Sequence, residues 1–285
     1  MNRAFAAVTM GMIASLCALV APAALAKQAH KPKANRIEIA YVEPSDPAHR
    51  QIYELLKERR VLERFKVALS PLRLSTKLML KTAGCEGESN AWYDDTEHSV
   101  TVCYEYLEEV LRNAPEATTA SGVTRLDAIF GPTVEVFLHE VGHAVFDLLK
   151  VPIFGREEDA ADQLADYLLL HLDSEIARQS ITGVAYMYGR EMQQPQTPGL
   201  QKFANVHGLS AQRFYNTLCM AYGYDAKLFG DVLEKGYLPE SRAEDCAAEY
   251  RQVDYAFRRL IAPHIDERVR AKVQPKRQAS PVGKL

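Results

Sequence analysis

The chain has 285 residues, 47% of them hydrophobic and 25% charged, with a formal net charge of −3. That is ordinary globular composition, long enough for one large domain or two small ones with a buried core. The near-neutral balance provides no global basic field and speaks against nucleic acid as a partner.

Residues 1–26 read as a secretory signal peptide. Arg3 precedes an apolar run over residues 4–20, then come helix-breaking Pro22 and the small-residue site Ala24-Leu25-Ala26. Cleavage is expected after about Ala26. The run is short and no stop-transfer segment follows, so no stable membrane anchor is expected. Leu16 before Cys17 fits a lipoprotein box poorly. The mature protein is therefore expected to be periplasmic or secreted, with residues 27–35 a polar, disordered lead-in.

Export places the four cysteines of the mature chain in an oxidising compartment. Cys85, Cys103, Cys219 and Cys246 allow three pairings. Cys85–Cys103 and Cys219–Cys246 join the pairs nearest in sequence. No spacing is CxxC, so they read as structural staples rather than zinc or redox ligands.

Residues 36–42 alternate and predict a strand. Ser45-Asp46-Pro47 is a helix-start signal, after which Ile52, Leu55, Leu56, Leu62, Phe65 and Leu69 keep helical spacing. Leu72, Leu74, Leu78 and Leu80 share one parity against Arg73, Lys77 and Lys81, which predicts a half-buried strand. Residues 90–93 and 99–104 flank the turn-rich DDTEH and predict a β-hairpin. Its second strand, Ser99–Cys103, could be an edge that receives an extended substrate or an interior strand stapled by Cys103. Helices are predicted over 106–112, 132–149, 157–172, 210–222, 226–234 and 241–261, with a long loop over 190–206. The tail from 263 to 285 is expected to be largely disordered. Residues 36–262 are thus expected to form a single α+β domain, a small N-terminal sheet followed by a mostly helical body.

The segment FLHEVGHAVFDLL, residues 137–149, sets two histidines and a glutamate on one arc of an otherwise apolar helix. His139-Glu140-Val141-Gly142-His143 is the HExxH pattern. Imidazoles four apart lie on adjacent turns and can hold one zinc ion, with Glu140 beside the open position as general base. A catalytic zinc needs a third protein ligand. The metzincin position, six residues after His143, is Leu149, which excludes that class. A following helix with GREEDAADQLADYLLL, residues 155–170, can pack back antiparallel after the Pro152–Gly155 reversal and bring Glu158 or a neighbour over the histidines.

HEVGH followed by EDAAD resembles the gluzincin pattern HExxH…ExxxD. The order of signal peptide, NAWYD…VTVCYE hairpin, HEVGH, GREEDAAD and VHGLSAQRFYNTLCMAYG is similar to the DUF4344 family of exported bacterial metallopeptidases, over about residues 36–260. The resemblance implies a zincin-like fold and one Zn2+ per chain held by His139, His143 and Glu158. It also implies that Asp162 orients a zinc-bound histidine. Glu157 is the rival ligand, but four residues on from it stands Ala161, which cannot orient an imidazole.

Zinc peptidases also stabilise an oxyanion, often with a His or Tyr beyond the third ligand. His207 is the candidate, with Tyr186 and Tyr188 behind it. The family pattern often has Asp two residues before this histidine, and here it is Asn205. Arg213 and Tyr215 could serve the site or simply make an ion pair and fill the core. Asp147 and Asp166 extend the two ligand faces by a turn, as outer partners or surface acids. His171 suits a helix C-terminus and no ligand role. The sequence therefore predicts an exported zinc metallopeptidase acting on peptide or protein substrates. The alternatives are a zinc-stabilised scaffold protein, or a zinc hydrolase of a non-peptide amide such as a cell-wall linkage.

Overall fold

The computed structural model describes residues 36–193 and 203–273. The expected signal peptide and lead-in, the middle of the expected 190–206 loop and the end of the tail lie outside the described residues. The fold is α+β: a four-stranded sheet followed by a mostly helical body.

Strand β1 (Ile37–Tyr41) leads through helices α1 (Arg50–Glu58) and α2 (Val61–Ala68) to β2 (Leu78–Ala83), and the two strands pair in parallel. Asp46 caps the entry, its carboxylate accepting from the Ala48 N–H at 2.8 Å. The continuous helical spacing of 52–69 conceals a break. Arg60 takes a left-handed conformation (φ 53°) between α1 and α2, while Ile52, Leu56, Leu62 and Phe65 on its two sides still reach the core and Leu55 stays exposed. The strand expected from Leu72 is also shorter than its parity. Leu72 and Leu74 are buried, but Leu72 only bridges Ile265 and the strand begins at Leu78. Burial parity continued across a bend because both segments pack on the same core.

The hairpin consists of β3 (Ala91–Asp94) and β4 (Ser99–Cys103), antiparallel, and the sheet order is β1-β2-β4-β3. β4 pairs with β2 on one side and β3 on the other, so it is an interior strand, buried along its length. The idea that Ser99–Cys103 is an open edge is thereby excluded; β3 holds the edge position on that side. Cys103 sits at the end of β4 in a disulfide with Cys85.

Helix α3 (Tyr104–Asn113) follows directly, and then the long α4 (Arg125–Leu149). α4 begins seven residues before the expected 132. Thr124 and Asp127 form a capping box at its start, and Pro132 is accommodated inside the helix rather than opening it. α5 (Glu157–Leu170) and α6 (Ser174–Met192) pack along α4. α6 has no counterpart in the sequence-based expectations. Its stretch ITGVAYMYG is rich in β-branched residues and glycine, which weaken the helical signal. Packing decides instead. Gly131 of α4 and Gly183 of α6 let the two backbones meet, since a Cβ on Gly183 would strike the Asp127 carbonyl. Gly183→Ala is accordingly expected to destabilise the protein by at least ~2 kcal/mol, measured as a lower urea midpoint with an unchanged slope.

Beyond residue 203 come α7 (Ser210–Tyr224), the single-turn α8 (Asp231–Glu234), α9 (Glu240–Leu260) and α10 (Glu267–Val273). The helix expected over 226–234 is reduced to that one turn. Residues 267–273, expected in the disordered tail, form a helix that begins beside the Leu72–Ile265 bridge. Cys219 of α7 and Cys246 of α9 form the second disulfide. No helix among the described residues is long and apolar enough to cross a membrane.

Candidate metal centre

The site is assembled where α4 and α5 cross. α4 is buried along nearly all of its second half, so His139 and Glu140 are only 4% and 7% exposed. Lys150 ends the helix in a left-handed conformation (φ 53°), and the chain turns through Gly155 (φ +106°) into α5. Gly142, inside the HExxH segment, makes the close approach possible. A Cβ there would sit 3.3 Å from the Ala161 Cα, tighter than ordinary packing. The first turn of α5 consequently lies over the histidines.

Both histidines turn their Nε2 atoms toward one carboxylate oxygen. Glu158 Oε2 is 3.1 Å from His139 Nε2 and 3.3 Å from His143 Nε2, and the two nitrogens are 3.3 Å apart. The opposite ring nitrogens face acids as well. His139 Nδ1 is 2.8 Å from Asp162 Oδ1, and His143 Nδ1 is 2.8 Å from Glu157 Oε1. Each imidazole is thus oriented by its own carboxylate from α5.

His207 arrives from the segment before α7. Its Nε2 lies 2.9 Å from the same Glu158 Oε2, and its ring stacks on His139 with centroids 5.8 Å apart. Asn205 Oδ1 accepts from the His207 backbone N–H at 2.8 Å and lies 3.3 Å from its Nδ1. Arg156, at the start of α5, donates to the Val206 carbonyl and pins the segment.

These contacts set the electrostatics of the metal-free fold. Hydrogen bonds from His139, His143 and His207 hold the Glu158 carboxyl far below the usual carboxylate range. Burial disfavours a charged His139, but Asp162 and Glu158 outweigh it and push the imidazole up to about 10. Burial raises the Glu140 carboxyl, only partly countered by the two histidines. Glu140 accepts no hydrogen bond from the described residues, which leaves its oxygens available as a base.

A family model for DUF4344, whose description is "Putative metallopeptidase", matches residues 41–261. The chain belongs to this family. No curated protein and no solved structure matches it. Membership supports a peptidase function in general and implies a metal ion.

The residues of this DUF4344 chain fit such an ion. One ligand atom each from His139, His143 and Glu158 lies within 4.8 Å of the others, and two nitrogens with one oxygen is the donor set of a catalytic zinc site. His207 lies outside that group of three. Two other clusters are less suitable. Cys85, Cys103 and Glu105 contain a disulfide rather than thiolates. Glu135, His139 and Asp162 already face a cation, Arg213.

Five of the remaining sequence candidates sit elsewhere. Asp147 accepts from the Tyr93 O–H at 2.7 Å and from Lys150 at 2.8 Å, tying β3 to α4. Asp166 is buried and accepts from Thr217 at 2.9 Å. The Tyr186 hydroxyl donates to the Asn113 carbonyl at 3.4 Å. Tyr215 meets Phe214 edge to face, and His171 packs against Tyr167 and Tyr224. Glu135 went unnoticed in the sequence, although it stands one turn before His139 on the same helix face. That i−4 position was its only signal. Glu157, weighed as a rival ligand, instead holds His143.

Proposed function

We propose that this DUF4344 protein is an exported zinc-dependent metallopeptidase, with His139, His143 and Glu158 as metal ligands and Glu140 as general base. The observation that carries the reading is the convergence of His139 Nε2, His143 Nε2 and Glu158 Oε2 beside the unengaged Glu140 carboxylate. Two disulfides favour an oxidising compartment and agree with export of the chain.

A zinc ion held there would act as a Lewis acid, activating a water and polarising the scissile carbonyl. Glu140 takes the proton from the attacking water and returns it to the departing amine. Asp162 and Glu157 keep the Nδ1 protons of His139 and His143 engaged, so both rings present Nε2 inward. His207, oriented by Asn205, supplies an N–H toward the developing oxyanion once Glu158 is occupied by metal. An extended substrate would pair with β3, which holds one end of the sheet and is tied to α4 by the Tyr93–Asp147 hydrogen bond.

The test uses the mature protein beginning at Lys27 and a diverse peptide mixture, with products read by mass spectrometry. Cleavage should disappear with a zinc chelator such as 1,10-phenanthroline and return with a stoichiometric addition of zinc. Zinc-loaded protein that cleaves none of the peptides refutes the peptidase reading; products from cell-wall fragments would then identify a non-peptide amide hydrolase.

A further inference from the structure

A guanidinium stands directly behind the metal-facing histidine. Arg213, from the first turn of α7, donates through Nε to Asp162 Oδ2 at 2.7 Å and through Nη2 to Asp162 Oδ1. Oδ1 is the oxygen that meets His139 Nδ1. Nη2 also lies 3.5 Å from Glu135 Oε1, which accepts from the Tyr188 O–H at 3.2 Å. The guanidinium carbon sits 4.5 Å from the centre of the Tyr188 ring. The Arg213 and Asp162 side chains are 18% and 17% exposed, and Glu135 is 4% exposed.

Glu135 and Asp162, which cluster with His139 so that one oxygen of each and a ring nitrogen lie within 4.8 Å of one another, repel each other unless a cation lies between them. Arg213 occupies that place. Its planar fork does more than balance charge: two parallel hydrogen bonds fix the plane of the Asp162 carboxylate, which a point charge cannot do. Fixing that plane fixes the direction of Oδ1 and hence the rotation of the His139 ring. Glu135 and Tyr188 in turn hold the guanidinium from behind. Arg213 also stands six residues after His207 on the chain, so the same clamp registers the His207 segment against α5.

We propose that Arg213 is a positioning residue of the metal centre, acting through Asp162 on His139 and anchored by Glu135. The inference rests on the zinc reading above. It assigns a task to Arg213 and to the buried Glu135 and Tyr188, which take no part in the chemistry.

The test measures zinc dissociation constants by competition with a chromophoric chelator, for the wild type, Arg213→Gln, Arg213→Lys, Asp162→Asn and the Arg213→Gln/Asp162→Asn double variant. Arg213→Gln is expected to weaken zinc binding ~10–100-fold, the range for loss of an outer partner. Arg213→Lys, which keeps the charge and loses the fork, should fall between it and the wild type. In the Asp162→Asn background the arginine change should cost no more than ~3-fold, because the uncharged amide offers the guanidinium fork one acceptor oxygen instead of two. A merely structural arginine would lower the denaturation midpoint while leaving zinc affinity within ~2-fold, or would add its full cost in the double variant; either result overturns the proposal. Should Arg213→Gln not fold, Arg213→Lys decides alone, and unchanged zinc affinity there is the refuting result. A wild type that holds no zinc sinks the metal reading along with the clamp, whereas a zinc-binding wild type with indifferent variants sinks only the clamp.

Discussion

Glu140→Gln is expected to bind zinc as the wild type does and to lose peptide cleavage by ~10²–10⁴-fold, the usual contribution of a general base. That range corresponds to about 3–5 kcal/mol of transition-state stabilisation. The substitution is nearly isosteric and removes the carboxylate's charge together with its ability to take a proton. Glu140 accepts no hydrogen bond from the described residues, so exchanging it strands no donor and should disturb the fold little. His139, His143 and Glu158 are untouched. The outcome therefore separates base chemistry from metal binding. Metal content is read by mass spectrometry of the native protein, and rates are taken at saturating and subsaturating peptide. Equal rates for the zinc-loaded variant and wild type would remove Glu140 from the mechanism.

Glu158→Gln is the second large expectation. Losing an outer partner alone costs 10–100-fold in metal affinity, and a direct ligand should cost more than ~100-fold. The zinc-induced rise in thermal stability, about 2.7 kcal/mol when zinc stands at 100 times its Kd, should then largely vanish for this variant. The wild-type rise should also depend on pH, with a definite sign. In the metal-free fold His139 is pushed up to about 10 by Asp162 and Glu158 against the cost of burial. A raised histidine stabilises the metal-free fold fully below its unfolded value near 6.5, and that contribution fades as pH rises toward 10. Zinc binding moves the opposite way, because its ligands must be deprotonated. The stabilisation by zinc should therefore grow steadily between pH 6 and 9. Differential scanning fluorimetry across that range, with and without zinc, checks it, and a zinc effect that is flat or larger at pH 6 contradicts the assignment of His139 as a ligand.

Much of the candidate site was readable because it is local. HEVGH places its three polar groups by helical periodicity alone, and EDAAD does the same for Glu158 and Asp162 one turn apart. The resemblance to DUF4344 rests on those same segments, and the family match covers residues 41–261. The α+β class followed from a strand-rich first third and a helix-rich remainder. The errors have physical causes. Apolar parity persisted across the bend between Leu74 and Leu78, so a short strand read as a long one. α6 escaped because ITGVAYMYG has weak intrinsic helicity and owes its form to burial against α4 through Gly131 and Gly183.

By itself, then, the sequence determined the covalent spacing: which imidazoles share a helix face, which acids follow one turn apart, and which cysteines are near enough in the chain to pair. These depend on chain geometry within a few residues. Only the tertiary structure decided which strand takes the sheet edge, that Glu157 faces His143 while Glu158 faces both histidines, and that Arg213 stands behind Asp162 across 51 residues of chain. Those outcomes depend on how whole helices cross, and at the crossing of α4 with α5 the missing side chain of Gly142 allows a close approach to Ala161.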